Sequence, residues 1–223
     1  LPMHDNRMTT EILTIDKGQC LTDVLPAIPA NTIFDKTITG CGATHSEIVN
    51  AARHSIIIEP NIPVILGKKA EHPFLFAVYE GITKEDVKAY LAGEHDGYRK
   101  IITTPEGFDK KVLPAMHELE IPVYKDYFLL FDECEKAIQD VGYRGDIYLP
   151  VEDFFKFENK AMVSATPIVP SDPRFEENGF KILKLVPTYD SRIELTLCTT
   201  NNTVAVMRKL LKRLENETVC VFL

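Results

Sequence analysis

The run Tyr127–Phe131, YFLLF, carries no charge and ends abruptly at Asp132-Glu133. An element with no polar face must be covered on both sides, as the central strands of a parallel sheet are. The run therefore predicts a central strand, and the two acids lie beyond its carboxyl end. In open α/β sheets, ligands bind at that end. A strand-end Asp there can hold Mg²⁺, and a neighbouring Glu can orient or deprotonate a water. The same acids also suit the N-terminus of a following helix, where the dipole favours carboxylates. The stretch alone leaves both readings open.

The rest of the chain alternates in a way that fits the sheet. Strands are expected at Thr10–Ile15, Thr32–Thr37, Ser55–Glu59, Phe74–Tyr79, Ile101–Thr103, Ala161–Ser164 and Lys181–Val186. Helices are expected from Ala43 or Thr44 to Arg53, after Thr83, from Thr104-Pro105 towards Glu120, and from Glu133 to about Val141. Thr83 and Asp86 have the spacing of a capping box, with Asp in place of Glu. Thr104, Pro105 and Glu106 suit an N-cap, a first helical position and a dipole-favoured acid. Pro60 and Pro63, followed by Gly67-Lys68-Lys69, read as a loop. The alternation predicts an α/β fold with a mostly parallel sheet flanked by helices.

Residues 1–31 read as a lead-in and 32–187 as the main domain. Pro187 to Ser191 looks like a boundary. Beyond it come an expected strand at Glu194–Cys198, a basic amphipathic helix at Val204–Leu214 and an apolar strand at Thr218–Leu223. Such a strand at the end of a chain would be an exposed edge, so 188–223 is expected to open an incomplete second domain. Arg208, Lys209, Lys212 and Arg213 read as the solvated face of that helix. The aromatics of Asp153–Phe157 read as packing residues.

A formal net charge of −8 gives no global field that would attract nucleic acid or an anionic membrane, though it leaves room for a local groove. Five cysteines, at 20, 41, 134, 198 and 220, are odd in number and form no C-x-x-C pair. They suggest reduced thiols in a cytoplasmic protein and argue against a disulfide framework or a zinc site. No apolar run is long enough to span a bilayer, so no membrane partner is expected.

Between the expected strand at 32–37 and the next helix lies Thr39-Gly40-Cys41-Gly42-Ala43-Thr44. A glycine loop in that context can cradle phosphates with backbone N–H groups. A full P-loop ends in Gly-Lys-Ser/Thr. Here Ala43 takes the lysine position, while Thr44 keeps the hydroxyl that would meet Mg²⁺. Losing the lysine removes a charge-assisted contact worth roughly 1.5–3 kcal/mol. Lys36, just upstream, is a candidate to supply the missing charge. A tight glycine turn without a ligand is the plainer reading of the loop. Cys41 and His45 read as a thiol in a glycine turn beside a solvent-facing imidazole. Downstream, Val163-Ser164-Ala165-Thr166-Pro167 delivers two hydroxyls at a strand end, either as a Ser/Thr turn or as contacts to the acids of the central strand.

In sequence order, the glycine loop ending in Thr44, then EPNIPVILGKK, VYEG, ITTPEG, LLFDECEK and VSATP resemble the first RecA-like domain of superfamily-two helicases, the DEAD/DEAH-like group. The resemblance covers roughly residues 32 to 186, with DECE followed by SAT its most specific pair. It implies ATP and Mg²⁺ as cofactors and nucleic acid as a partner. Gly40 to Thr44, with Thr39 and Lys36, would hold the nucleotide. Asp132 and Thr44 would serve Mg²⁺, with Asp132 and Glu133 serving hydrolysis. Ser164, Ala165 and Thr166 would couple nucleotide state to nucleic acid, and Pro60, Thr104 and Pro105 would face its backbone. Ala43 departs from the family pattern, as does Glu135 where DEAD/DEAH members carry Asp or His. The expected function is a helicase-like, nucleic-acid-dependent NTPase that needs its second RecA-like domain. The alternative is a helicase-derived module that binds nucleotide or nucleic acid without hydrolysis.

Overall fold

The computed structural model describes residues 8–38, 40–134, 151–166, 170, 172–190 and 199–213. Its strands are β1 (Thr10–Ile15), β2 (Thr32–Asp35), β3 (His54–Ile58), β4 (Phe76–Val78), β5 (Lys100–Thr103), β6 (Tyr127–Phe131), β7 (Asn159–Ser164) and β8 (Lys181–Pro187). They form one eight-stranded sheet in the order β1-β8-β2-β7-β6-β3-β5-β4. Every pairing is parallel. The fold is α/β, an all-parallel sheet flanked by helices, a layout consistent with a RecA-like domain.

Both faces of the sheet are covered, and adjacent residues of one strand show it. Leu129 and Phe131 join one apolar cluster with Ile56, Ile58 and Ile33, while Phe128 and Leu130 join another with Ile57 and Phe34. All five residues of β6 are buried. A strand packed on two sides has no position for a polar side chain, and this is why its sequence reads as an unbroken apolar run.

The parallel connections are made by helices, among them α1 (Leu21–Val24), α2 (Ala43–Val49), α3 (Ile62–Glu71) and α4 (Lys84–Ala92). The helix α3 corrects the loop expected at 60–69. Asn61 is its N-cap and Pro63 falls in the first turn, where a missing N–H costs nothing. The capping box of α4 forms as expected: Asp86 N–H donates to Thr83 Oγ1 at 3.2 Å, and Thr83 N–H donates to Asp86 Oδ2 at 2.8 Å. Thr104 caps as expected too, accepting from Gly107 N–H at 3.0 Å. The helix it starts is interrupted by a π turn, Phe108–Val112, before resuming at Leu113–Glu118. Pro114 explains the interruption. It has no N–H to donate and its ring crowds the carbonyl one turn back, so the preceding turn widens and Leu113 N–H donates to Phe108 O.

Asp153–Phe155, expected as packing residues, lie on a helix, Val151–Lys156. Phe155 stands edge-on to Phe175 at 5.0 Å, and Phe175 to Phe180 at 4.9 Å. The chain divides into two compact units, residues 1–190 and 191–223. Within the second, Thr203–Arg213 is helical. The helix expected at 133–141 and the strands expected at 194–198 and 218–223 lie outside the described residues, as does Thr39. Among the described residues no helix is long and apolar enough to cross a membrane. Cys20 is exposed, and Cys41 and Cys134 are buried.

At the amino end of the central strands sits a buried charge network. Glu47 of α2 is fully buried and accepts from Arg53 Nε at 3.1 Å and from the Ser55 hydroxyl. Lys100 Nζ donates to Ser55 Oγ at 2.8 Å and lies 3.6 Å from Glu47. Burial pushes the Lys100 ammonium down to about 8 even though Glu47 pulls the other way. Removing one partner from such a network leaves the others charged and unpaired in the interior. Glu47→Ala is expected to lower the unfolding free energy by about 3–5 kcal/mol. Urea denaturation of the variant beside the wild type measures it, and a loss under about 1 kcal/mol would mean the network relaxes onto water.

Candidate functional site

The carboxyl ends of five neighbouring strands, β2-β7-β6-β3-β5, carry the residues singled out from the sequence. In the chain these strands are far apart. The connection leaving β2 passes to β3, and β6 and β7 come later to fill the places between them. Residues at 36–38, 40–44, 59–61, 104–105, 132–133 and 164–166 thus share one edge because every strand points the same way.

Asp132 is the centre. It is 2% exposed, and its N–H donates to Ile58 O at 2.9 Å, extending the pairing of β6 with β3 by one step. A buried carboxylate is costly unless its oxygens are satisfied. Oδ1 accepts from Lys36 Nζ and from Glu133 N–H, both at 2.9 Å, and Oδ2 accepts from the Thr44 hydroxyl. Lys36 and Thr44 come from the two ends of the glycine loop. Burial alone would depress the Lys36 ammonium, but the ion pair and hydrogen bond to Asp132, with Glu133 adding, hold it above the usual lysine range.

The loop reaches this arrangement through two left-handed glycines, Gly40 at φ 73° and Gly42 at φ 90°. A side chain there would be strained, so the glycines are needed for the turn itself. Gly42 is the N-cap of α2, which places Ala43 and Thr44 in its first turn, both buried. Lys36, Gly40–Thr44, His45 and Lys68 line a pocket of about 150 Å³. Ala43 brings no charge to it, whereas Lys36 enters from the strand end and Lys68 from α3. Lys68 also pairs with Glu71 at 2.8 Å.

His45 Nδ1 lies 3.2 Å from His72 Nε2, which ties α2 to the end of α3. The Cys41 thiol is pushed up, chiefly by burial, which is the opposite of an activated nucleophile. Ser164 Oγ donates to Thr166 O at 2.6 Å and accepts from Thr166 N–H at 3.0 Å, so the hydroxyl closes its own turn. What links that strand end to the glycine loop is the main chain, where Lys36 N–H donates to Ser164 O at 2.8 Å. Ala165 is half-buried. Pro60, Thr104 and Pro105 are half-buried at the ends of the paired strands β3 and β5, on the far side of Asp132 from the loop.

Two residues beside the acids went unmarked in the sequence. Glu59 is 1% exposed at the end of β3, and Asn61 Nδ2 reaches both Glu59 Oε1 at 3.0 Å and Glu133 Oε2 at 2.8 Å. In sequence Glu59 closes an apolar strand and Asn61 sits between prolines, so only the pairing of β3 with β6 brings them to the acids. Lys68 was missed for the same reason as α3: the prolines were read as breakers.

No protein-family model matches this sequence, and no curated protein matches it.

Burial raises the Glu59 carboxyl to about 7, with Asp132 and Glu133 adding and hydrogen bonds from Asn61 opposing. Between its ordinary value of 4.5 and about 7 the folded state holds more protons than the unfolded one, so stability falls as pH rises through that window. Glu59→Gln, which cannot ionise, is expected to flatten the profile and to gain on the order of 1–3 kcal/mol at pH 8 relative to wild type. Melting curves from pH 4.5 to 8 test this, and parallel profiles for the two proteins would show that Glu59 keeps an ordinary carboxyl.

Proposed function

We propose that this chain is the nucleotide-binding core of a helicase-like, nucleic-acid-dependent NTPase that uses ATP and Mg²⁺. The observation that carries the reading is the Asp132 carboxylate joined at once to Lys36 and Thr44, at the strand end beside a glycine loop. A nonspecific glycine turn has no need of a buried acid 88 residues downstream of its threonine.

The residues fit Mg²⁺. This ion takes oxygen ligands and is commonly held by one or two carboxylates together with substrate phosphates and water. Asp132 and Thr44 offer a carboxylate and a hydroxyl in contact. Bound there, the ion would draw charge from the phosphate oxygens. Gly40 to Thr44 would present backbone N–H groups to the phosphates, with Thr39 on the same loop. Lys36 lines the pocket and bonds Asp132, so its ammonium could serve either that acid or a phosphate in the pocket. In the absence of nucleotide it neutralises the acid, and against a phosphate it supplies the charge that Ala43 lacks.

Glu133 follows Asp132 with φ 48°, a left-handed conformation that costs a non-glycine residue roughly 1–2 kcal/mol. Its carboxylate meets the Asn61 amide just past the end of β3. It would take a proton from water as general base. Ser164, Ala165 and Thr166 border the same loop through the Lys36–Ser164 main-chain bond and would report its position. Pro60, Thr104 and Pro105 would meet the nucleic acid on the neighbouring strand ends.

Ala43 favours a second reading, in which nucleotide or nucleic acid is bound without turnover. Calorimetry with Mg²⁺-ATP on this chain, and ATPase assays on the full-length protein with and without a nucleic-acid strand, separate the two. The NTPase reading expects binding, turnover stimulated by the strand, and a loss of at least about 100-fold in turnover for Glu133→Gln with binding kept. Lys36→Ala is expected to weaken Mg²⁺-ATP binding about tenfold or more. Tight binding without turnover would establish the second reading, and no binding in either form would remove both.

A further inference from the structure

Asn61 is the N-cap of α3, yet its side chain makes no cap hydrogen bond. An N-cap asparagine ordinarily accepts from an N–H of the first turn, at a gain of about 1 kcal/mol. Here the amide faces the other way. Nδ2 donates to Glu59 Oε1 at 3.0 Å and to Glu133 Oε2 at 2.8 Å, while the Asn61 backbone N–H adds a third bond, to Glu59 Oε1 at 2.8 Å. An amide nitrogen carries two hydrogens, and each has one carboxylate to meet. The reverse orientation would set the amide oxygen against two carboxylates, so the contact pattern fixes the rotamer as well as the partners.

Glu59 is suited to anchor this amide. Its backbone N–H donates to Thr103 O at 2.9 Å, which holds it to β5, and its side chain is buried. Oε1 receives one bond from the Asn61 amide and one from its backbone N–H, so the residue is held at two points to a group that the sheet keeps in place. On the other side, Glu133 is the first residue past the Asp132 contact and has turned out of the strand path into left-handed backbone. A glutamate has three side-chain torsions, and the bond from Asn61 restrains them at the carboxylate itself.

The geometry points to Asn61 as the positioning residue for Glu133, with Glu59 as the buried anchor that aims the amide. The inference rests on the proposed hydrolytic role of Glu133 and deepens it. The amide holds Oε2 of the Glu133 carboxylate and so sets where that carboxylate stands relative to the water to be activated. A general base acts only from hydrogen-bond reach, and a misplacement of about 1 Å costs on the order of 100-fold in rate.

The test uses the full-length protein, with steady-state ATPase, calorimetry with a non-hydrolysable ATP analogue and Mg²⁺, and melting temperature measured for each variant. Asn61→Ala is expected to lower kcat by roughly 10–100-fold while KM and the analogue Kd stay within about threefold. The melting temperature of each variant separates the stability lost with the Asn61 bonds to Glu59 and Glu133 from the loss of rate, and analogue binding within threefold shows that the site stays folded. Glu59→Gln keeps an oxygen that accepts both Asn61 bonds, and it should retain most of the wild-type kcat. Glu59→Ala, which frees the amide, should fall towards the Asn61→Ala level. A kcat for Asn61→Ala within threefold of wild type overturns the inference while leaving the NTPase reading in place. Equal losses in Glu59→Gln and Glu59→Ala overturn the anchoring role, because charge and not the acceptor would then be what matters. A wild type that binds the analogue but does not hydrolyse ATP removes the hydrolytic role of Glu133 and this inference with it.

Discussion

The Asp132 carboxylate is the point on which the site depends. It is buried at the end of the central strand, where an unpaired charge would cost several kcal/mol. Its oxygens are satisfied from three directions: a lysine at the end of β2, a threonine in the first turn of α2, and the N–H of its own neighbour. The loop between Lys36 and Thr44 is thereby fastened at both ends to a strand that is not adjacent to β2, since β7 lies between them. Loss of the carboxylate would free both ends of the glycine loop together. The ion pair and the loop conformation are one structural unit.

Parallel pairing explains why such a unit can form. In a sheet whose strands all run one way, every connection returns through a helix and every strand delivers its last residue to the same edge. The buried faces of β2, β3, β6 and β7 are occupied by packing, which leaves polar side chains room only where the strands end. Asp35, Glu59, Asp132 and Ser164 are all buried polar residues at or just past such ends. The opposite edge shows what happens without a site. There Glu47, Arg53, Ser55 and Lys100 join in one buried network, and none of the four lines the glycine-loop pocket.

The strands were legible because two-sided burial writes itself into sequence as uninterrupted apolar residues, and YFLLF is bounded to the residue by its charged neighbours. The capping signals of Thr83 and Thr104 were legible because they are local. Helix α3 was not, because Pro60 and Pro63 stop a strand and start a helix with the same residue type, and only the position of Asn61 as N-cap tells the two apart. The π turn needed the register of Pro114 within its helix, which no periodicity reports. The loop and the acids could be named separately, and Lys36 could be named as a candidate. Its partner could not, because the contact spans 96 residues and depends on which strand fills the space beside β2. Glu59 and Asn61 were hidden for the same reason: each has an adequate local explanation, as a strand terminus and as a cap.

If Lys36 supplies the charge that Ala43 lacks, as proposed, that charge is delivered differently than from a helix. A lysine in the first turn of a helix hangs over the loop from an element that can shift with it. Lys36 instead follows directly on β2, and its N–H is bonded to Ser164 O of β7, so the base of the side chain is set by two central strands. Its ammonium already has a carboxylate partner, so on the proposed reading a phosphate would have to compete with Asp132 for it. That competition would ease if Asp132 acquired another cation, for which the Thr44 hydroxyl beside it would provide the second oxygen. On that reading, charge on the loop and charge at the acid would be coupled through one side chain, and a ligand bringing both a phosphate and a divalent cation would suit this geometry better than either alone.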